Sequence, residues 1–239
     1  MKVIIKTLLN VFDYFTQLKI INALKKELIY DYPLTVIDVG SHKGEYILSI
    51  KNKFKIKKIY GFEPNKEIFN LLSKKYGKDN NIELYNLGIS NLPGETFLNK
   101  NIESSSSSIN ELNTNSRYFH KKYLLLNFFN LKKISTKVKI KVICLSNFFV
   151  QNNIHEIDLL KIDTEGFELH VLKSLHENIS KIKIIHFEHH FDDMIIKNYN
   201  FSDIHNYLVN RNFKKKFKIK MMFRKSFEYI YCNQNFKNE

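Results

Sequence analysis

Apolar positions over residues 3–30 recur at spacings of three and four: Ile4, Leu8, Val11, Phe15, Leu18, Ile21, Leu24 and Leu28. That rhythm predicts one helical face. Pro33 is expected to end the helix. From residue 34 the period shortens. LTVIDV reads as a strand, followed by a helix around 44–53, and KKIYGFE as a second strand ending in Glu63. Pro64 is expected to open the next helix, 65–76, where its missing N–H is harmless. IELYNLGI reads as a third strand. KVKIKVICL is a further strand, followed by a short helix near 146–152. IDLLKID is almost wholly apolar, as a strand buried on both faces should be. A helix carrying Phe167, Leu169, Val171, Leu172 and Leu175 follows it. KIKIIHFE is another parallel candidate and SDIHNYLVNRN a helix. FKKKFKIKMMF and SFEYIYC then predict an antiparallel C-terminal hairpin. Strands alternating with helices imply an α/β, doubly wound, mostly parallel sheet. The domain expected is 34–235, preceded by an N-terminal helical segment, 1–33. An irregular insertion at 91–136 includes the serine run 104–108, expected to be a solvated loop on the substrate side.

Composition adds one strong bias. The 239 residues carry a formal net charge of +14, which favours anionic partners such as nucleic acid, acidic glycans or a membrane surface. The abundance of Lys, Asn and Ile together is also what base composition alone would produce. Lysines in the N-terminal helix would let it touch an anionic membrane, but packing on its own domain is the expectation. Cys144 and Cys232 stand far apart without metal-like spacing, so a reducing cytoplasm is expected. No segment approaches the ~20 apolar residues of a spanning helix. Oligomeric state has no signature in the chain.

The sign of charge inverts where a doubly wound sheet binds its ligand, at the carboxyl ends of the strands. Asp38 follows the first strand, Glu63 the second, Asp163 and Glu165 follow LLKI, and Glu188 follows the last parallel strand. The loop after Asp38 runs D-x-G-x-x-x-G through Gly40, Ser41, His42 and Gly44. A dinucleotide fingerprint would need a second close glycine where His42 stands, and a P-loop would need Lys-Ser/Thr after Gly44. S-adenosylmethionine fits better. It has a sulfonium, an ammonium and a ribose diol but no phosphate. Asp38 would face its cationic end, Gly40 would let the backbone approach, and Glu63 would accept from the ribose hydroxyls.

These stretches resemble the FkbM-type family of S-adenosylmethionine-dependent methyltransferases, from about residue 34 to 190. VIDVGSHKGEYI is similar to the family's glycine loop and GFEPNKEIF to its second-strand motif. NLGISNLPGETF is similar to the third-strand segment, and IDLLKIDTEGFELHVLKSL to its most distinctive element. The resemblance implies a Rossmann-like methyltransferase sheet and O-methyl transfer, often to a hydroxyl of a sugar or a polyketide-like metabolite. It places Ser41, His42, Pro64, Gly88 and Asn91 with the cofactor, although Asn91 stands where an aspartate is common.

For transfer to oxygen the protein must align the acceptor and remove its proton. Asp163 is the first candidate base, because partial desolvation at the end of an apolar strand raises a carboxyl's pKa. The competing reading is that Asp163 caps the following helix, and Glu168 in its first turn is also expected to act as a cap. In HFEHHF, alternation would align His186, Glu188 and His190 if the strand persists. A metal there is the lesser expectation. Glu188, with His189 or His190 as a base titrating near neutrality, completes the catalytic candidates. The acceptor expected is a small molecule or a surface glycan. The alternatives are an RNA methyltransferase, with FKKKFKIKMMFRK tracking phosphates and stacking bases, and a non-catalytic module that only binds the cofactor.

Overall fold

A computed structural model describes residues 2–28, 32–101, 107–120 and 135–236. Seven strands form one twisted sheet: β1 (Leu34–Val39), β2 (Ile56–Phe62), β3 (Ile82–Tyr85), β7 (Ile157–Ile162), β8 (Ile182–His190), β9 (Phe213–Lys220) and β10 (Ser226–Asn233). Their order is β3-β2-β1-β7-β8-β10-β9. The first five run parallel, and β10 inserts antiparallel between β8 and β9. The order in which strands are added thus reverses between β1 and β7, which fixes the switch point beside Asp38 and Asp163.

Helices cover both faces. On one lie α1 (Lys2–Glu27), α2 (Glu45–Lys51) and α3 (Lys66–Tyr76), with Leu24, Ile47, Ile50 and Leu72 packed on Val36, Leu159, Ile184 and Ile230. On the other lie α4 (Leu145–Gln151), α5 (Glu168–Lys173) and α6 (Phe201–Val209), packed on Ile37, Leu160, Ile185 and Tyr229. Period-2 alternation therefore sorts each strand between two cores.

Several expectations are corrected. IELYNLGI is not one strand: β3 stops at Tyr85, and Gly88–Ile89 (β4) joins a separate sheet. That sheet has the order β4-β6-β5, with β5 (Gly94–Asn101) antiparallel to β6 (Ser135–Ile143). KVKIKVICL thus pairs outside the main sheet, and the stretch after Asn91 opens with a strand. The split follows from Asn86, whose Nδ2 donates to the carbonyls of Glu63 (2.9 Å) and Pro64 (3.0 Å) and turns the chain away from β2. Pro64 precedes the helix instead of opening it, because Asn65 is the N-cap and accepts from Glu67 N–H. Helix α1 ends at Glu27, ahead of Pro33. Its buried side is Thr16, Ile20, Ile21 and Leu24, continued by Leu28 just past its end, whereas Phe15 is 56% exposed. The side chains of Ile4, Leu8 and Val11 lie outside the described ones. Of the serine run, 104–106 lie outside the described residues, and Ser108 is buried, not solvated. Both cysteines are free and buried. Among the described residues no helix is long and apolar enough to cross a membrane.

Candidate active site

The loop after β1 is set by backbone geometry. Gly40 and Ser41 N–H both donate to the Phe62 carbonyl (2.9 and 3.0 Å), which ties the loop to the end of β2. Gly40 has φ +84°, and a Cβ there would sit 1.9 Å from the Asp163 carbonyl oxygen. The glycine is thus required by the close approach of two neighbouring strand ends, a cause nearer than a ligand. Gly44 is likewise left-handed, at φ +79°, and a Cβ on it would meet the Tyr76 ring at 2.3 Å. Tyr76 also donates its hydroxyl to the Gly44 carbonyl at 3.0 Å.

Asp38 is buried, and its Oδ2 has no hydrogen-bond partner among the described residues. Ser41 Oγ donates instead to the Asp38 backbone carbonyl (2.9 Å). Burial pushes the Asp38 carboxyl up to about 7, against the lowering pull of Lys161. Glu63 Oε1 accepts from Asn65 N–H at 2.8 Å, and Oε2 from His42 N–H at 3.0 Å. A carboxylate has about four acceptor positions, so two remain open. Burial raises its pKa as well. An orphaned buried carboxylate oxygen beside a half-committed one suits a ligand with a cationic end and a diol. These residues fit S-adenosylmethionine. Gly88 opens β4 and Asn91 follows it closely, with Asn91 Oδ1 2.9 Å from His170 Nδ1.

Asp163 continues β7, with its N–H donating to the Val39 carbonyl (2.9 Å). It does not cap α5, whose N-cap is Phe167 with no side-chain bond. Its side chain is 39% exposed and lies 3.7 Å from Lys161 Nζ. Burial and the neighbouring carboxylates Glu188 and Glu228 raise its pKa, while Lys161 and His190 lower it. Thr164 Oγ1, next along, is buried without a partner among the described residues. Glu168 serves the turn, not the helix end. Its Oε1 accepts from Gly166 N–H (2.6 Å) and its Oε2 from the Tyr199 hydroxyl (2.7 Å). The Glu165–Gly166 turn is left-handed at φ 50° and 90°. Ser108 and Asn110 donate to its two carbonyls.

Strand β8 persists to His190, so His186, Glu188 and His190 do share a face. They do not converge on one point. His186 faces Tyr46 and Glu228, at 2.9 Å each. His190 Nε2 lies 3.2 Å from Glu165 and 3.5 Å from Glu188, with Nδ1 3.5 Å from Asp192. Burial alone would lower the His190 pKa, but these carboxylates raise it to about 10. At neutral pH it is a cation and a donor. His189 points to the opposite face, with Nδ1 3.6 Å from Glu168 Oε2 and its ring against Phe191 and Tyr199. Sequence reasoning missed Lys161, Tyr46, Glu228 and Asn86. The signals were a lysine and a glutamate inside otherwise apolar strands.

Comparison with known proteins bears on the family and the fold. The methyltransferase FkbM domain matches residues 38–215. No curated protein matches significantly. Among solved structures, a methyltransferase FkbM from Methylobacillus flagellatus KT aligns with TM-score 0.53 and 15% identity. The alignment covers 83% of this chain and 44% of that one, so the chain spans under half of that protein's length. Magnesium protoporphyrin IX methyltransferase from Synechocystis PCC 6803, solved with S-adenosylmethionine bound, aligns with TM-score 0.52 and 10% identity over 94% of this chain and 81% of that one. At such identities the likeness is one of fold, and the domain match carries the family. The chain belongs to the FkbM methyltransferase family, on a Rossmann-like sheet.

Proposed function

We propose that the protein transfers a methyl group to a hydroxyl oxygen of a polyhydroxylated acceptor such as a glycan, with Asp163 as the residue that orients and deprotonates it. The observation that carries this reading is the position of Asp163. It ends the strand next to β1, is partly open to solvent, has no capping duty, and has a pKa raised by burial and by Glu188. A carboxylate so raised is a better base than a free one.

When bound, S-adenosylmethionine supplies an electrophilic methyl on a good leaving group. Asp38 would hold its cationic end and Glu63 its ribose, with Ser41 and His42 setting the loop between them. Asp163 would accept the acceptor's proton as the oxygen is alkylated. Glu188 would keep Asp163 basic, and His190, held protonated, would neutralise the surrounding acids. A polyol suits a rim lined with carboxylate acceptors, since each ionised carboxylate can take several hydroxyl donors.

The test is single-turnover transfer from labelled donor to cell glycans and RNA in parallel, with wild type and Asp163→Asn. Turnover should fall by about 10²–10⁴ with melting temperature and cofactor affinity unchanged. Near-native turnover in Asp163→Asn, or label appearing only in RNA, would overturn the reading. Cofactor binding with no transfer to any acceptor would favour the non-catalytic module.

A further inference from the structure

The domain match ends at residue 215, yet a buried carboxylate from beyond it reaches the site. Glu228 sits on β10, paired in register with Glu188 of β8. Its Oε2 lies 3.2 Å from Lys161 Nζ and 2.9 Å from His186 Nε2. Lys161 in turn lies 3.7 Å from Asp163 Oδ2. His186 Nδ1 is 2.9 Å from the Tyr46 hydroxyl. With Tyr46 donating to Nδ1, the ring proton sits on Nε2, on the side of Glu228, where the pair is an electrostatic contact and not an aligned hydrogen bond. Lys161 on β7 stands opposite Asp38 on β1 and His186 on β8, in one row across the sheet, and Glu228 reaches that row diagonally, from two positions beyond the His186 partner Ile230.

We propose that Glu228 is a positioning residue for methyl transfer, acting through Lys161 to hold Asp163 in place and to share the lysine's charge. This rests on the reading of Asp163 given above. A lysine carries three donors and no acceptor, so its one ammonium is divided between two carboxylates. Glu228, squeezed by burial but paired with Lys161 and His186, stays ionised well below the usual carboxylate range. Glu228 thereby limits how strongly Lys161 can stabilise the Asp163 anion. Without that competition Asp163 would be a weaker base bound closely to the lysine. The other charges around Asp163 are Asp38 from β1, His186, Glu188 and His190 from β8, and Arg224 from the β9–β10 turn. Conservative changes at Glu228 and Lys161 leave these in place.

The experiment is the pH profile of single-turnover transfer in wild type, Glu228→Gln and Lys161→Met, with melting temperature and cofactor affinity measured alongside. In Glu228→Gln the acidic limb should move down by about one pH unit and transfer at neutral pH fall roughly tenfold. In Lys161→Met the limb should move up, since the cation that favours the Asp163 anion is gone. A structural role would lower melting temperature without shifting the two limbs in opposite directions. Glu228→Asp retains the charge with a shorter reach, so it should lose rate while its limb stays near wild type. Limbs that stay in place, or move together, overturn the proposal, as does full rate in Glu228→Asp, which decides the matter if Glu228→Gln fails to fold. If Asp163→Asn keeps full activity, the fault lies with the function proposed. If that variant is inactive but the limbs do not separate, only this inference fails.

Discussion

Asp38 shows how one buried residue couples binding to pH. Burial holds its carboxyl near 7 in the free protein, and its Oδ2 has no donor among the described residues. A cationic ligand end would favour the ionised form. Binding of S-adenosylmethionine should therefore tighten as pH rises through 7, weakening up to about tenfold per unit below it. Calorimetry at pH 6.5 in buffers of different ionisation heat should detect proton release, absent in Asp38→Asn; proton uptake would contradict the assignment. The stability sign follows from the same shift. The folded state binds this proton more tightly than the unfolded chain, so the contribution is full below the unfolded carboxylate's value and lost as pH rises through about 7. Asp38→Asn should thus raise the melting temperature at pH 8 while weakening the cofactor. The acids at these strand ends were legible in the sequence because each follows an apolar run. What gives them their chemistry was not, since Lys161, Glu188 and Glu228 come from three strands scattered along the chain. The same holds for His190. Its imidazole was expected to titrate near neutrality, but Glu165, Glu188 and Asp192 surround it, and only the fold brings them together.

At the level of elements, period identified strands and helices but not their neighbours. KVKIKVICL alternates as well as any main-sheet strand, yet β6 pairs with β4 and β5. The choice depends on long-range pairing, to which a two-residue period is blind. In α1 the predicted face is kept at Ile21 and Leu24, which are buried, but it also passed through Phe15, which is exposed, and it left out Ile20, which is buried. Several apolar stripes coexist on that helix, and the sheet selects one. The consequence is measurable. Leu24 is fully buried among Leu28, Ile184, Ile230 and Cys232, so Leu24→Ala should cost about 2–5 kcal/mol in denaturant unfolding. Phe15→Ala, on the exposed side, should stay within about 0.5 kcal/mol. Equal losses would mean that α1 packs by a different face.

At the level of the whole molecule, the +14 charge and the acid-rich site occupy different places, and this separates the candidate acceptors. Strand β9 is an edge strand, and its lysines, Lys214, Lys215, Lys216, Lys218 and Lys220, are exposed. Lysines on an edge discourage pairing with another chain, so they have a use without any anionic partner. The phenylalanines interleaved with them are not free to stack on bases: Phe213 is buried and Phe217 packs on the core. Phe223, at the turn, is 66% exposed, and its ring meets Phe12 edge-on. The dominant carboxylates of the site, by contrast, are buried or half-buried and lie on the opposite side of β10 in strand order. Salt screens exposed charges over about 8–10 Å but affects buried groups far less. A polyanionic acceptor neutralised by several lysines would lose affinity by orders of magnitude between 50 and 200 mM salt, through counterion release. A neutral polyol held by carboxylates and aligned by Asp163 has no counterions to release. Acceptor kcat/KM should therefore change less than about twofold over that range. Replacing Lys214, Lys215 and Lys220 together by Gln should leave it equally unchanged while promoting association between chains, seen by light scattering. A steep salt dependence that flattens in the triple variant would instead identify β9 as a phosphate-tracking surface and give the nucleic-acid acceptor the stronger claim.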